Sequence, residues 1–190
     1  MHAFDFIMLF FSFIYALALT HVLLAVNAMI RYRRKITFSL PHAIWMFDAL
    51  LAVSINWISL WDFHETQVLS LGAIAGGFVL SIAQYLVCAL VSPDFENDRD
   101  FDLRLFQNEQ YRSYLSAFLV LIAVSIGVNI GGGSMLGIQK WTSENALVLP
   151  MLPAIAIPLF VRNQWIQIAG AVIFAILNIA YLLIYYPVLR

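Results

Sequence analysis

The sequence predicts an all-α protein, a polytopic integral membrane bundle of six transmembrane helices, and three observations carry that prediction. Of its 190 residues 63% are hydrophobic and 11% are charged, whereas soluble domains carry about 25% charged residues. The mean hydropathy is +0.87. The apolar residues are also gathered into long, nearly uncharged stretches, and none alternates with the period of two that marks an outer-membrane barrel strand. A membrane helix needs about 20 apolar residues, so this composition suffices for about six crossings. It excludes a water-soluble enzyme, a disordered chain and a secreted disulfide scaffold. A net charge of -1 offers no basic surface for nucleic acid. The lone cysteine, Cys88, permits neither an internal disulfide nor a thiolate metal cage.

The spans are expected at about 4–30, 41–60, 68–91, 114–130, 146–161 and 165–186, forming one transmembrane domain over 1–190. The first lacks the basic lead of a signal peptide and is read as a retained helix. The second contains His42 near its start and Asp48 well inside. The third has no charge. The fourth stops where Gly131, Gly132 and Gly133 interrupt the pattern. The fifth is short and carries Pro150, Pro153 and Pro158, which remove backbone donors and predict a broken or re-entrant helix.

Orientation follows from the cations. Arg31, Arg33, Arg34, Lys35, Arg99, Arg104, Arg112 and Arg162 fall on one side, and Lys140 and Arg190 on the other. The positive-inside bias then puts the amino terminus outside the cytoplasm, and the expected location is a plasma membrane of the bacterial inner-membrane kind. If the fifth segment dips and returns, Arg162 and Arg190 exchange sides, so charge does not fix the carboxyl end. Trp45 and Trp165 are expected at the cytoplasmic interface, and Trp61 and Trp141 at the outer one.

Lipid supplies little drive for helix association, so small and polar residues at helical spacing mark the packing faces. Gly77, Ser81, Gln84 and Cys88 form such a strip on the third segment, with Leu71, Phe78, Val79 and Leu86 facing away. Ala18, His21, Ala25 and Ala28 form one on the first, and Asp48, Ala52, Asn56 and Ser59 one on the second.

An ionisable group within a span costs at least about 2.5–3.5 kcal/mol on insertion scales and marks a candidate site. Counting helical rise from the cytoplasmic ends, His21 lies about 15 Å deep, and Asp48 and Gln84 about 10 Å deep. His21 and Asp48 are therefore expected to pair between neighbouring helices, with the amide of Gln84 beside them. An imidazole and a carboxyl within reach can pass a proton. Asn56, Asn129 and Asn178 come out about 20–24 Å deep and form a second expected layer.

Two further patterns are weaker. Asp98, Asp100, Asp102 and Glu109 match positions 1, 3, 5 and 12 of an EF-hand calcium loop, but Leu103 stands where glycine is required. Haem ligation fails on depth, since His21 and His42 differ by about 13 Å and His2 and His64 lie outside the spans. No lysine lies within a span to anchor retinal, and no cofactor is expected.

The sequence thus points to a small multi-pass membrane protein, more a conductor than an enzyme, passing protons or a small ion through the His21–Asp48 pair. The competing reading is a non-catalytic accessory or structural subunit of a larger membrane complex. The lipid bilayer is the expected partner in both, with further copies of the chain or other membrane proteins.

Overall fold

The computed structural model describes residues 3–63, 71–95, 100–136 and 146–187. It is an all-α bundle: α1 (Ala3–Arg31), a short strand β1 (Ile36–Thr37), α2 (Leu40–Ser59) with a 3-10 turn after it (Leu60–Phe63), α3 (Leu71–Val91), a short strand β2 (Phe101–Asp102), α4 (Leu103–Leu136), α5 (Met151–Phe160) and α6 (Gln164–Tyr185). Five of the helices, all but α5, contain a stretch long and apolar enough to cross a membrane. His2, His64, Asp98, Arg99, Lys140, Trp141 and Arg190 lie outside the described residues.

The helices close a ring. α1 packs on α3, α3 on α4, α4 on α5, α5 on α6, and α6 on α2, which returns to α1. α2 also reaches α3 and α4, so it touches four helices. Its indole Trp45 joins it to two of them: fully buried, it lies 5.4 Å from Phe118 of α4 and 6.0 Å from Phe174 of α6, ring centre to ring centre. Trp45 is therefore a core residue, not an interface anchor. It stands more than a turn inside α2 and faces the bundle axis. Trp165, by contrast, is 77% exposed at the start of α6, as an interfacial ring should be.

The faces of α3 follow its sequence. Ser81, Gln84 and Cys88 are buried, while Leu71, Phe78, Val79 and Leu86 are exposed. On α1 the buried line is Phe11, Tyr15, Ala18, Val22 and Ala25. That spacing of four, three, four and three turns Val22 inward and leaves His21 exposed on its flank.

α4 begins at Leu103, well before the expected Tyr114. The charges there sit on one side of an amphipathic helix whose Leu103, Gln107, Tyr111, Tyr114 and Phe118 are buried. Asp102 starts it, its Oδ1 accepting from the backbone N–H of Arg104 at 2.7 Å and of Leu105 at 3.3 Å. The glycines 131–133 do not end it, for the helix continues to Leu136. In apolar surroundings a helix is the cheapest way to satisfy their backbone groups.

The prolines disturb the fifth segment less than expected. The interruption is confined to residues 149–150, between a helical turn at 146–148 and α5. Pro150 is the N-cap of α5 and Pro153 lies in its first turn, where an N–H has no intrahelical partner. Pro158 is inside the helix. Gln167 of α6 answers the carbonyls at that end, its Nε2 donating to Pro158 O at 2.6 Å and reaching Val161 O at 3.5 Å.

Three connections meet at one end of the bundle. β1 pairs in parallel with β2, Ile36 opposite Phe101 and Thr37 opposite Asp102. Phe101 N–H donates to Lys35 O at 2.9 Å, and Arg104 Nε to Phe38 O at 3.3 Å. Arg162, between α5 and α6, borders the same cavity as Ser39 and Arg104. The described cations of all three connections therefore share this basic end. α5 runs toward it, and α6 runs away from it beside α2.

The α5–α6 contact is close enough to require glycine. A Cβ on Gly170 would run into Pro158 Cγ and lie 2.6 Å from Ala154 O. Gly170→Ala is expected to destabilise the protein by about 1–3 kcal/mol, read as a lower midpoint in detergent unfolding. Gly127→Ala, whose Cβ would meet nothing within 4 Å, should leave the midpoint unchanged or raise it.

Candidate functional site

α2 carries two ionisable side chains into the bundle. Asp48 and His42 are both fully buried. Neither carboxyl oxygen of Asp48 and neither ring nitrogen of His42 has a hydrogen-bond partner among the described residues. Six residues separate the two, about 9 Å of helical rise.

The expected His21–Asp48 contact is not made. His21 Nε2 lies 3.0 Å from Tyr85 Oη instead, the two rings edge to face at 5.2 Å. His21 is exposed on the outer surface of α1, whereas Asp48 faces the interior. Helical rise compares depths but not rotation, and rotation separates these two.

Gln84 belongs to a different level. Its Oε1 accepts from Asn56 Nδ2 at 2.7 Å, and its Nε2 reaches Cys88 Sγ at 3.5 Å. Asn56 lies about 24 Å along α2 from Leu40, and Gln84 about 10 Å along α3 from Val91. For them to meet, the basic-end terminus of α3 must sit about 13 Å deeper in the bundle than that of α2. The two layers expected from depth are therefore partly one. Asn178 Nδ2 donates to Phe174 O of its own helix at 2.9 Å, and Asn129 is half-buried on α4. Among the described residues, no hydrogen bond joins one asparagine of that layer to another.

His42, Gln107 and Tyr114 form a group that depth reasoning missed. The imidazole meets Phe106 and Tyr114 edge-on, with ring centres 5.1 and 6.1 Å away. Tyr114 Oη donates to Gln107 Oε1. The Gln107 side chain lies beside His42, yet its Nε2 reaches hydrogen-bond geometry with no described group. The available signal was Pro41: a proline at the first helical positions fixes the helix start, so His42 belongs to α2 and not to the connection before it.

The calcium spacing is not realised as a loop. From Leu103 onward its residues are wound into α4, Asp102 Oδ1 is occupied as a helix cap, and Glu109 stands exposed on the helix. Among the described residues no cluster of three or more potential ligands could hold a metal ion.

The polar groups therefore divide into two kinds. Asn56, Gln84 and Asn178 have partners, the ordinary condition of buried polar groups. Among the described residues the carboxyl of Asp48 and the ring nitrogens of His42 have none, as is also true of Tyr15 Oη and Trp45 Nε1. Compared with known families, curated proteins and solved structures, the chain matches none.

The satisfied pair makes a testable contrast. Asn56→Leu or Gln84→Leu alone leaves one amide stranded and should cost about 0.6–1.7 kcal/mol. The double variant removes both ends and should recover much of that loss. A double-mutant cycle on unfolding midpoints in detergent reads the difference.

Proposed function

We propose that the protein passes protons or a small ion across its membrane, with Asp48 as the group that must be occupied and vacated. The observation that carries this reading is the isolation of that carboxyl: fully buried and with both oxygens unpartnered. A structural polar residue in a bundle is satisfied by its neighbours. An unpaired anion in the same place costs several kcal/mol, so ionising Asp48 is coupled to the arrival of water or a cation. His42, rather than His21, is its ionisable neighbour toward the basic end, across a gap a short file of water can bridge. By the positive-inside bias the basic end faces the cytoplasm.

A second reading rests on the outer surface. The His21–Tyr85 and Trp57–Ser12 contacts, the latter at 3.4 Å, put polar groups where lipid would lie. Polar side chains favour contact with another helix over lipid, which suits an accessory subunit of a larger assembly. Purification in mild detergent from the native host separates the readings. Stoichiometric partner subunits favour docking, and the chain alone or as a homo-oligomer favours conduction.

The direct test is a pH jump across liposomes containing the protein and an internal pH dye. Asp48→Asn should lower proton flux at least about tenfold, a loss of about 1.4 kcal/mol in barrier height. His42→Gln should lower it less, and His21→Gln should leave it unchanged. Equal flux in wild type and Asp48→Asn removes Asp48 from the mechanism.

A further inference from the structure

His42, Trp45 and Asp48 follow one another at steps of three along α2, and each is fully buried. Steps of three keep them within about 120° of one another on the inner side of the helix. Trp45 stands half-way, about 4.5 Å of helical rise from either ionisable neighbour. The two ring nitrogens of His42, Nε1 of Trp45 and both oxygens of Asp48 are shielded from water and have no partner among the described residues. Rings fill the side of α2 on which Trp45 lies. Tyr114 of α4 meets both His42, at 6.1 Å, and Trp45, at 6.4 Å. Trp45 then packs on Phe118 and Phe174, and Tyr114, Phe118 and Phe174 are fully buried like the indole. The way along α2 from His42 to Asp48 is therefore dry and closed by an aromatic layer.

Resting on the conduction reading above, we propose that the passenger is the proton alone, and that the Trp45 indole sets this selectivity by barring metal cations between His42 and Asp48. A metal cation that sheds its water must be given about six oxygens in return. The inward neighbours of Asp48 on its own helix, Trp45, Ala49 and Ala52, are buried and bring no side-chain oxygen, and the helical carbonyls are held in their own ladder. His42 lies about 9 Å along α2, too far to complete a ligand set with Asp48. Among the described residues no three potential ligands are grouped to hold a metal ion. A cation that keeps its water needs a bore that the packed rings do not leave. A proton has neither requirement. The His42 imidazolium gives its proton, over a water admitted by a small ring movement, to the Asp48 carboxylate. The products are a neutral imidazole and a neutral carboxyl, so no charge is left in the dry interior. An indole N–H only donates, so Trp45 does not carry the proton. It offers its unused donor to the oxygen of that water and closes the way behind it.

The test uses the full chain in liposomes. An internal pH dye reads proton flux, and uptake of radioactive sodium and rubidium reads metal cations, each against protein-free liposomes. Wild type should pass protons and take up neither metal above the protein-free level. Trp45→Leu removes the indole and keeps an apolar core residue, and Phe118→Leu thins the same layer from α4. Unfolding midpoints in detergent show which of the two is folded. A folded variant of either kind should admit sodium or rubidium at least about tenfold faster than wild type, the discrimination that one missing group in an apolar site is worth, with proton flux retained. Sodium or rubidium uptake by wild type that Asp48→Asn abolishes overturns the proton selectivity while leaving Asp48 as the conducting group. Folded variants as tight to metals as wild type overturn the role of Trp45 and its ring layer. Proton flux in Asp48→Asn equal to that of wild type removes the conduction reading itself, and this inference with it.

Discussion

The packing of one indole between two helices organises this bundle. Trp45 meets Phe118 and Phe174, and all three are fully buried, joining α2, α4 and α6 across the interior. Where lipid is as apolar as the side chains, such contacts hold helices together through dispersion and shape. The centrality of α2 follows from them. Because α2 is enclosed, whatever its sequence places on the inner side is carried into the core, including Asp48 and His42. Among the described spans, the helix that carries a carboxyl and an imidazole inward is thus also the one with the largest buried share.

The same enclosure sorts the polar residues. At the far side of α2 the Asn56–Gln84 amides complete each other, and Gln167 closes the end of α5. These are the contacts that make irregular or polar places tolerable in a bundle. Against that background, among the described residues, Asp48 is the carboxyl left without a partner, in the company of Tyr15 Oη, Trp45 Nε1 and the ring nitrogens of His42.

Much of the architecture was legible in the residue pattern, and the exceptions have physical causes. The α3 strip of Ser81, Gln84 and Cys88 was readable because small and polar residues have few other uses in an apolar helix. The start of α4 was hidden because Arg104, Glu109 and Arg112 mask an inner line that an average over the window cannot see. His21 misled because rise along a helix says nothing about azimuth, and the buried line of α1 passes through Val22. Gln84 and Asn56 were assigned to separate layers because depth was counted from helix ends assumed to be level. Trp45 shows the limit of composition rules: an indole near a helix start is an interfacial ring when it faces outward and a core ring when it faces inward.

The two-residue pairing of Ile36–Thr37 with Phe101–Asp102 also bears on how the chain is made. All of α2 and α3 lie between the partners, so β1 leaves the ribosome long before β2 exists. At synthesis rates of about 5–20 residues per second that wait lasts about 3–13 s. Until then the arginine-rich turn after α1 has no strand to hold it, and the first two helices enter the bilayer as an unlatched hairpin. The latch closes only when the third has followed, so the order of translation is written into the knot at the basic end.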